Sequence, residues 1–210
     1  MMSVDLALNW ARLIRTFEVS RQPIAVLLDL YVLHNCLIAN LRLLAQLDRE
    51  TDLGDRRDAL RRIYALGQTI NGNFDQVKSL GDGVLFEFGP SRAADLALRA
   101  RITQWQAKLR ALFLVRGAML RYRLAVSGFE LPPELGPAQK EFDRELSETL
   151  DGMAEYLEGK PTPPVAHLNQ ALTRVESEAA AYPSSHLNDF LALCRTETQL
   201  ALSVALECHL

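Results

Sequence analysis

Apolar residues recur at steps of three and four along most of the chain, and this spacing is typical of one buried face of an α-helix. Segments rich in Gly, Pro or clustered charge interrupt the pattern, most clearly at 128–137 and 159–164. Helices are therefore predicted over about 5–19, 23–49, 57–80, 92–126, 138–158, 165–181 and 185–208. The sequence predicts an all-α fold, a helical bundle of six to seven helices with short connections.

The 210 residues are expected to form one helical domain. A chain of this length can bury a core without help from metals or disulfides. Within the domain 1–210 we distinguish the N-terminal helices (1–90), two long helices of opposite charge (91–160) and a C-terminal helical pair (161–210).

The third predicted helix contains two glycines, Gly67 and Gly72, each of which costs about 1 kcal/mol relative to alanine. A break near 71–73 is therefore an open alternative to one continuous helix. The connection that follows contains Glu87, which stands among apolar residues. Burial of its carboxylate would require a nearby cation such as Arg92 or Arg101.

The composition excludes several classes of protein. The formal net charge is only −3, so no overall attraction to nucleic acid or anionic lipid is expected. Charged or strongly polar residues interrupt every apolar stretch of membrane-spanning length, and residues 1–10 lack the features of a signal peptide. The three cysteines, Cys36, Cys194 and Cys208, are too scattered for a disulfide framework, and we interpret them as small buried side chains in a reducing compartment.

The near-neutral charge hides a strong local asymmetry. Residues 91–128 carry eight basic side chains and one acidic side chain, whereas residues 129–160 carry nine acidic and three basic ones. The predicted helix over 92–126 is therefore basic, and the helix over 138–158 is acidic. We call them the basic helix and the acidic helix.

Helical-wheel angles divide the basic helix into faces. With Arg101 at zero and about 100° per residue, its apolar side chains fall between about 20° and 120°. These are Leu98, Ile102, Trp105, Leu109, Leu112, Phe113 and Leu120. One basic row, near 180°, consists of Arg92, Arg99, Arg110 and Arg121. A second row, assigned to the opposite flank, consists of Arg101, Lys108, Arg116 and Arg123.

Two interpretations of these rows are open. The acidic helix could lie beside the basic helix and compensate its charge through Glu141, Asp143, Glu145, Glu148, Asp151 and Glu155. Alternatively, one row contacts a partner, which would be an acidic protein surface, an organic acid or anionic headgroups. Nucleic acid is not expected, because the aromatic residues do not form a stacking platform. The candidate ligand- or partner-binding residues are Glu87, Arg92, Arg99, Arg101, Trp105, Arg110, Arg116, Arg121 and Arg123.

Motifs for chemistry are missing from the sequence. The four histidines do not form a helical metal-ligand pair, so neither a metal nor another cofactor is expected. The common nucleophile and phosphate-binding motifs do not occur either. The sequence predicts no catalytic residues and a protein that is not an enzyme.

Several short sequences occur in an order that carries a family resemblance: EFGPSR at 87–92, LRARI at 98–102, LRALFLVR at 109–116, YR at 122–123 and GFELP at 128–132. With Trp105 between them, they resemble the soluble C-terminal portion of bacterial fusaric acid resistance (FUSC) proteins. This family comprises aromatic acid exporters and MdtO-like multidrug efflux components.

The resemblance implies a non-enzymatic cytoplasmic helical domain of an inner-membrane efflux protein, which acts in assembly or regulation of the transporter. The expected partners are a membrane domain of the same or a neighbouring protein, a periplasmic adaptor, an outer-membrane channel and further copies of the chain. The expected location is the cytoplasmic side of the bacterial inner membrane. A different function is a ligand-sensing helical module that binds an aromatic carboxylate or another anion through the basic helix.

Overall fold

The helical periodicity of the sequence is realised throughout the described part of the chain, which in this computed structural model comprises residues 35–36, 38–46, 56–83, 92–125, 129–161 and 165–208. The elements are α1 (38–46), α2 (Arg56–Gly83), α3 (Arg92–Ala125), a 3-10 turn (Pro133–Leu135), α4 (Gly136–Leu157), α5 (Ala166–Ala179) and α6 (Ser185–Cys208). All of these elements are helical, which confirms the predicted all-α bundle.

The break considered near 71–73 does not occur, because α2 continues without interruption from Arg56 to Gly83. Gly67 lies against the ring of Phe113 in α3, where an added Cβ would come 3.5 Å from Phe113 Cζ. Phe74, about two turns further along α2, packs on the same ring, and the two ring centroids are 6.2 Å apart. Packing of α2 on α3 therefore offsets the weak helix propensity of the glycines.

Helix α4 ends at Leu157, two residues before Gly159, as the glycine- and proline-rich stretch predicts. Gly159 has a φ of 105°, a left-handed conformation that side chains other than glycine adopt only with strain. The Lys160 amide donates to the Glu155 carbonyl at 2.9 Å and closes the final turn.

The core lies where α3, α4 and α6 meet, and α5 and α2 cover its outer sides. Fully buried side chains from these helices include Leu109, Phe142 and Phe190. Helix α1 adds Leu41 and Leu44 to the core, and Ser147 of α4 donates a hydrogen bond to the Ala45 carbonyl at 3.0 Å. Helix α6 runs antiparallel to α3. Tyr122, late in α3, contacts His186 at the start of α6, whereas the earlier Arg116 contacts the later Glu197.

Cys36 and Cys194 are buried free thiols, as the sequence predicts for small apolar-like side chains. Among the described residues, no helix has the length and apolar character needed to cross a bilayer.

Candidate functional site

The inner face of α3 follows a seven-residue repeat. Ile102, Leu109 and Arg116 are buried at spacings of seven, and Leu112 and Met119 are buried beside them. We call these five residues the inner seam. Buried positions at this spacing are typical of a helix that packs along another helix. Arg116 thus occupies a position where the repeat predicts an apolar side chain, and it is only 2% exposed.

Arg116 lies between two carboxylates from two other helices. Its Nη1 is 2.9 Å from Asp143 Oδ1 of α4, and its Nε is 3.0 Å from Glu197 Oε1 of α6. The side chains of the two acids are 11% and 1% exposed, respectively. Gln139 Nε2 donates a further hydrogen bond to Asp143 Oδ1 at 3.2 Å. The contact with Asp143 is a hydrogen bond donated by Nη1, whereas the contact with Glu197 is a close ion pair.

We call these three residues the Arg116 triad. Removing charges from water is costly, and a buried ion pair is stable only when its partners are held in good geometry. The triad therefore specifies how three helices meet rather than supplying a large net stabilisation.

Cys194, one turn before Glu197, shares this charged interior. Burial raises the pKa of the Cys194 thiol well above its ordinary value, and the negative charges of Glu197 and Asp143 raise it further. The thiol is therefore held in its neutral form, which is the opposite of what an activated nucleophile requires.

The prediction that Arg116 belongs to a basic row at the border of the apolar stripe is wrong, because its side chain is buried in the core. Its wheel angle is about 60° from Arg101, which lies inside the apolar window of about 20° to 120° rather than at its edge. That angle was the signal for burial. The two acids that receive the charge could not be identified without knowing which helices are neighbours.

Two arginines of the first row face α2 instead of a common cleft. Arg99 donates through Nε to the Gly81 carbonyl at 2.7 Å and through Nη2 to Asp82 Oδ1 at 3.0 Å. The positive charge thus lies at the carboxyl end of α2, where the helix dipole is negative. The Arg110 guanidinium carbon lies 5.8 Å from the centroid of the Phe74 ring.

The other candidates are distributed around the helix. Arg92, Arg101 and Arg121 are exposed, Arg123 is half-buried, and Trp105 is half-buried against the core. Glu87 lies outside the described residues. The described candidates therefore do not converge on one cleft, since some point inward, some face α2 and some point to solvent.

The acidic helix compensates the basic helix at a buried point, where Asp143 pairs with Arg116. Other carboxylates of α4 pair elsewhere: Glu148 with Arg144 at 3.0 Å, Glu155 with Lys160 at 3.0 Å, and Glu141 with Arg174 of α5. For these acids, the partner is on the same helix, just beyond its end or on α5.

A polar cluster lies at the other end of the α3–α6 contact. The Tyr122 hydroxyl donates to Asp189 Oδ2 at 3.1 Å and lies 3.0 Å from His186 Nδ1. Its ring packs edge-on against Phe129, with the centroids 5.0 Å apart. Partial desolvation raises the pKa of Tyr122, and the hydrogen bond to Asp189 and its negative charge act in the same direction. The hydroxyl therefore stays protonated as a structural donor.

The outer face of α3 has a different character. Ala93, Ala100, Ala107, Leu114 and Arg121 follow one another at spacings of seven, and all five are exposed. Leu114 is 63% exposed, and Asp95 is the only acidic residue in the sequence of the helix. One helix thus combines a core-forming face with a basic, small-residue surface.

Among the described residues, no group of three or more His, Cys, Asp or Glu side chains is arranged to hold a metal ion. No protein-family model, curated protein or solved structure matches the chain.

Proposed function

We propose that the chain is a non-enzymatic helical domain of a FUSC-like inner-membrane efflux protein and that it acts in assembly or regulation of the transporter. The exported compounds would be aromatic acids or other hydrophobic molecules. This proposal combines the resemblance over 84–159 with the division of α3 into two faces.

The observation that carries the proposal is the contrast between Arg116 and Arg121. Arg116 is committed to holding three helices together, whereas Arg121, five residues later, is exposed in a stripe of alanines and a leucine. A helix that is fixed in the core on one side and displays such a stripe on the other is suited to contact another protein. The buried thiol of Cys194 and the acids around it take part in packing the three helices.

A deletion and complementation experiment tests the proposal. Removing the coding segment from the source bacterium is expected to raise its sensitivity to fusaric acid and related aromatic acids and to slow their export. The wild-type segment should restore export, and so should Gln199→Glu, which adds charge to an exposed position of α6. Unchanged sensitivity and unchanged export of every aromatic acid tested would remove the transport role.

The ligand-sensing alternative predicts that aromatic carboxylates stabilise the isolated chain. The geometry gives it less support, because Arg116 is buried and Arg99 and Arg110 face α2. We expect no rise in Tm with millimolar benzoate, salicylate or fusaric acid. A rise that disappears in Arg101→Ala or Arg121→Ala would favour the sensor instead.

A further inference from the structure

The Tyr122 hydroxyl has two polar neighbours at the α3–α6 contact and only one hydrogen to share between them. Its oxygen lies 3.1 Å from Asp189 Oδ2 and 3.0 Å from His186 Nδ1. A phenol carries a single hydrogen, so it donates to only one of these two neighbours. The hydroxyl oxygen therefore has to accept a hydrogen bond from the other neighbour.

The hydrogen of the Tyr122 hydroxyl belongs to the bond with Asp189. An ionised carboxylate only accepts hydrogen bonds, so Asp189 is not the neighbour that donates. Donation from Tyr122 to His186 would leave the hydroxyl oxygen and Asp189 Oδ2, both acceptors, 3.1 Å apart with no hydrogen between them. A hydrogen bond to a carboxylate is also stronger than one between neutral groups.

His186 is therefore the donor to Tyr122. Its Nδ1 carries a hydrogen that points to the hydroxyl oxygen 3.0 Å away, and a neutral imidazole has only one such hydrogen. Nε2 is then an unprotonated acceptor. Within the described part of the chain Nε2 has no hydrogen-bond partner, so its lone pair remains available.

Packing holds this series of donors in place. The Tyr122 ring meets Phe129 edge-on with the centroids 5.0 Å apart, and it meets the His186 ring edge-on at 6.2 Å. The charged residues on the surrounding elements are Arg121 and Arg123 of α3, Glu130 beside Phe129, and Asp189 of α6. Of these, Asp189 bonds directly to the hydroxyl and thereby sets its direction.

The position of the hydrogen decides what happens when His186 takes up a proton. The proton enters at Nε2, and the resulting imidazolium donates through both ring nitrogens. The bond from Nδ1 to Tyr122 and the bond from Tyr122 to Asp189 both persist. In the opposite arrangement, with Tyr122 donating to Nδ1, the incoming proton would occupy Nδ1 and break the bond.

We propose that Nε2 of His186 is a proton-accepting site that changes the charge at the start of α6 while the contact between α3 and α6 stays intact. The Tyr122 hydroxyl is the link that ties the imidazole to Asp189 and keeps the hydrogen on Nδ1. This inference concerns the chain's own side chains and stands independently of the efflux role.

¹⁵N NMR of the histidine side chains locates the hydrogen directly. Spectra are recorded at about pH 8, above the interval in which histidines usually titrate. We expect Nδ1 of His186 to give the chemical shift of a protonated nitrogen and Nε2 that of an unprotonated one, with His186→Gln used to assign the signals. A wild-type chain that carries the hydrogen on Nε2 would overturn the proposal.

Two variants test the link through Tyr122. Tyr122→Phe removes the hydroxyl, and Asp189→Asn supplies an amide that donates to the hydroxyl and releases it to donate to Nδ1. At least one of them should move the hydrogen of His186 towards Nε2. The matched control Tyr182→Phe removes a half-buried hydroxyl just before α6 and should leave the hydrogen on Nδ1. A hydrogen that stays on Nδ1 in both test variants, or that moves equally in the control, would contradict the link.

The stability lost in Tyr122→Phe provides an independent measurement. Urea unfolding at about pH 5 and at about pH 8 samples the two sides of the interval in which histidines usually titrate. We expect the same loss in the free energy of unfolding at both pH values, because the hydrogen bonds persist in both forms of the imidazole. A clearly smaller loss at the lower pH would show that protonation of His186 breaks its bond to Tyr122, and the proposal would fail.

Discussion

Arg116 illustrates how far a single residue departs from its usual behaviour. Arginine is rarely buried completely, yet here it is 2% exposed and joins Asp143 and Glu197 across three helices. A charge in a helix interface penalises every packing arrangement that would leave it without its acids. The triad thereby favours one arrangement of α3, α4 and α6 over shifted alternatives.

Replacing the centre of the triad should be strongly destabilising. Arg116→Met leaves two buried carboxylates facing each other, and breaking a buried pair in this way costs about 3–5 kcal/mol. Urea unfolding followed by circular dichroism measures the change in the free energy of unfolding. The triple variant Arg116→Met/Asp143→Leu/Glu197→Met should recover most of the loss. A loss below 1 kcal/mol in the single variant would mean that the triad does not hold the helices.

Cys194 offers a chemical probe of the same interior. Because burial and the neighbouring acids keep its thiol neutral, we expect Cys194 to react with Ellman's reagent far more slowly than an exposed cysteine does. The rate is measured in a chain that carries Cys36→Ala and Cys208→Ser. Addition of 8 M urea should release full reactivity, and rapid labelling in the folded state would show that the α6 interface opens readily.

At the scale of elements, glycine has opposite roles in α2 and at the end of α4. In α2, glycine only lowers the helix propensity of a continuous helix. A Cβ added at Gly72 would have no other atom within 4 Å, so a larger side chain fits there. At Gly159 the left-handed φ of 105° ends α4. The same residue type is therefore replaceable in one place and required in the other.

Alanine substitutions separate these two roles. Gly72→Ala should raise the free energy of unfolding by about 0.5–1 kcal/mol through higher helix propensity. Gly159→Ala should lower it by about 1–2 kcal/mol because alanine is strained in the left-handed conformation. Thermal or urea unfolding compares both with the wild type, and a destabilised Gly72→Ala variant would indicate that the helix is interrupted there in solution.

The sequence predicts the elements well and the site poorly, for one physical reason. Helices and their ends depend on local spacing and on residues such as Gly159, which the sequence displays directly. The partners of Arg116 depend on which helices are adjacent, and no local pattern states that. The wheel angle of Arg116 lies among those of the apolar residues, so burial of this side chain follows from the sequence although its partners do not.

In the molecule as a whole, some charged side chains are buried and others are exposed. Asp143, Glu197 and Arg116 are withdrawn from solvent, whereas Arg101 and Arg121 remain at the surface. Electrostatic association with a partner therefore depends on only some of the basic residues that the sequence contains.

Charge reversal at the surface and in the interior should have very different effects on stability. Arg101→Glu and Arg121→Glu are expected to change the free energy of unfolding by no more than about 0.5 kcal/mol, the usual range for exposed positions. Arg116→Glu should prevent folding, because it places three acids together in the core. Soluble yield and urea midpoints of the three variants provide the comparison, and three similar results would contradict the division.

The Arg116 triad also has a consequence for how quickly the chain leaves its native state. Asp143 is 27 positions from Arg116 along the chain, and Glu197 is farther still, so the ions meet only after three separate helices have come together. Interactions that complete late in folding act mainly on the rate of unfolding, since the transition state has not yet formed them. The triad would thus lengthen the lifetime of the assembled bundle more than it would hasten its formation.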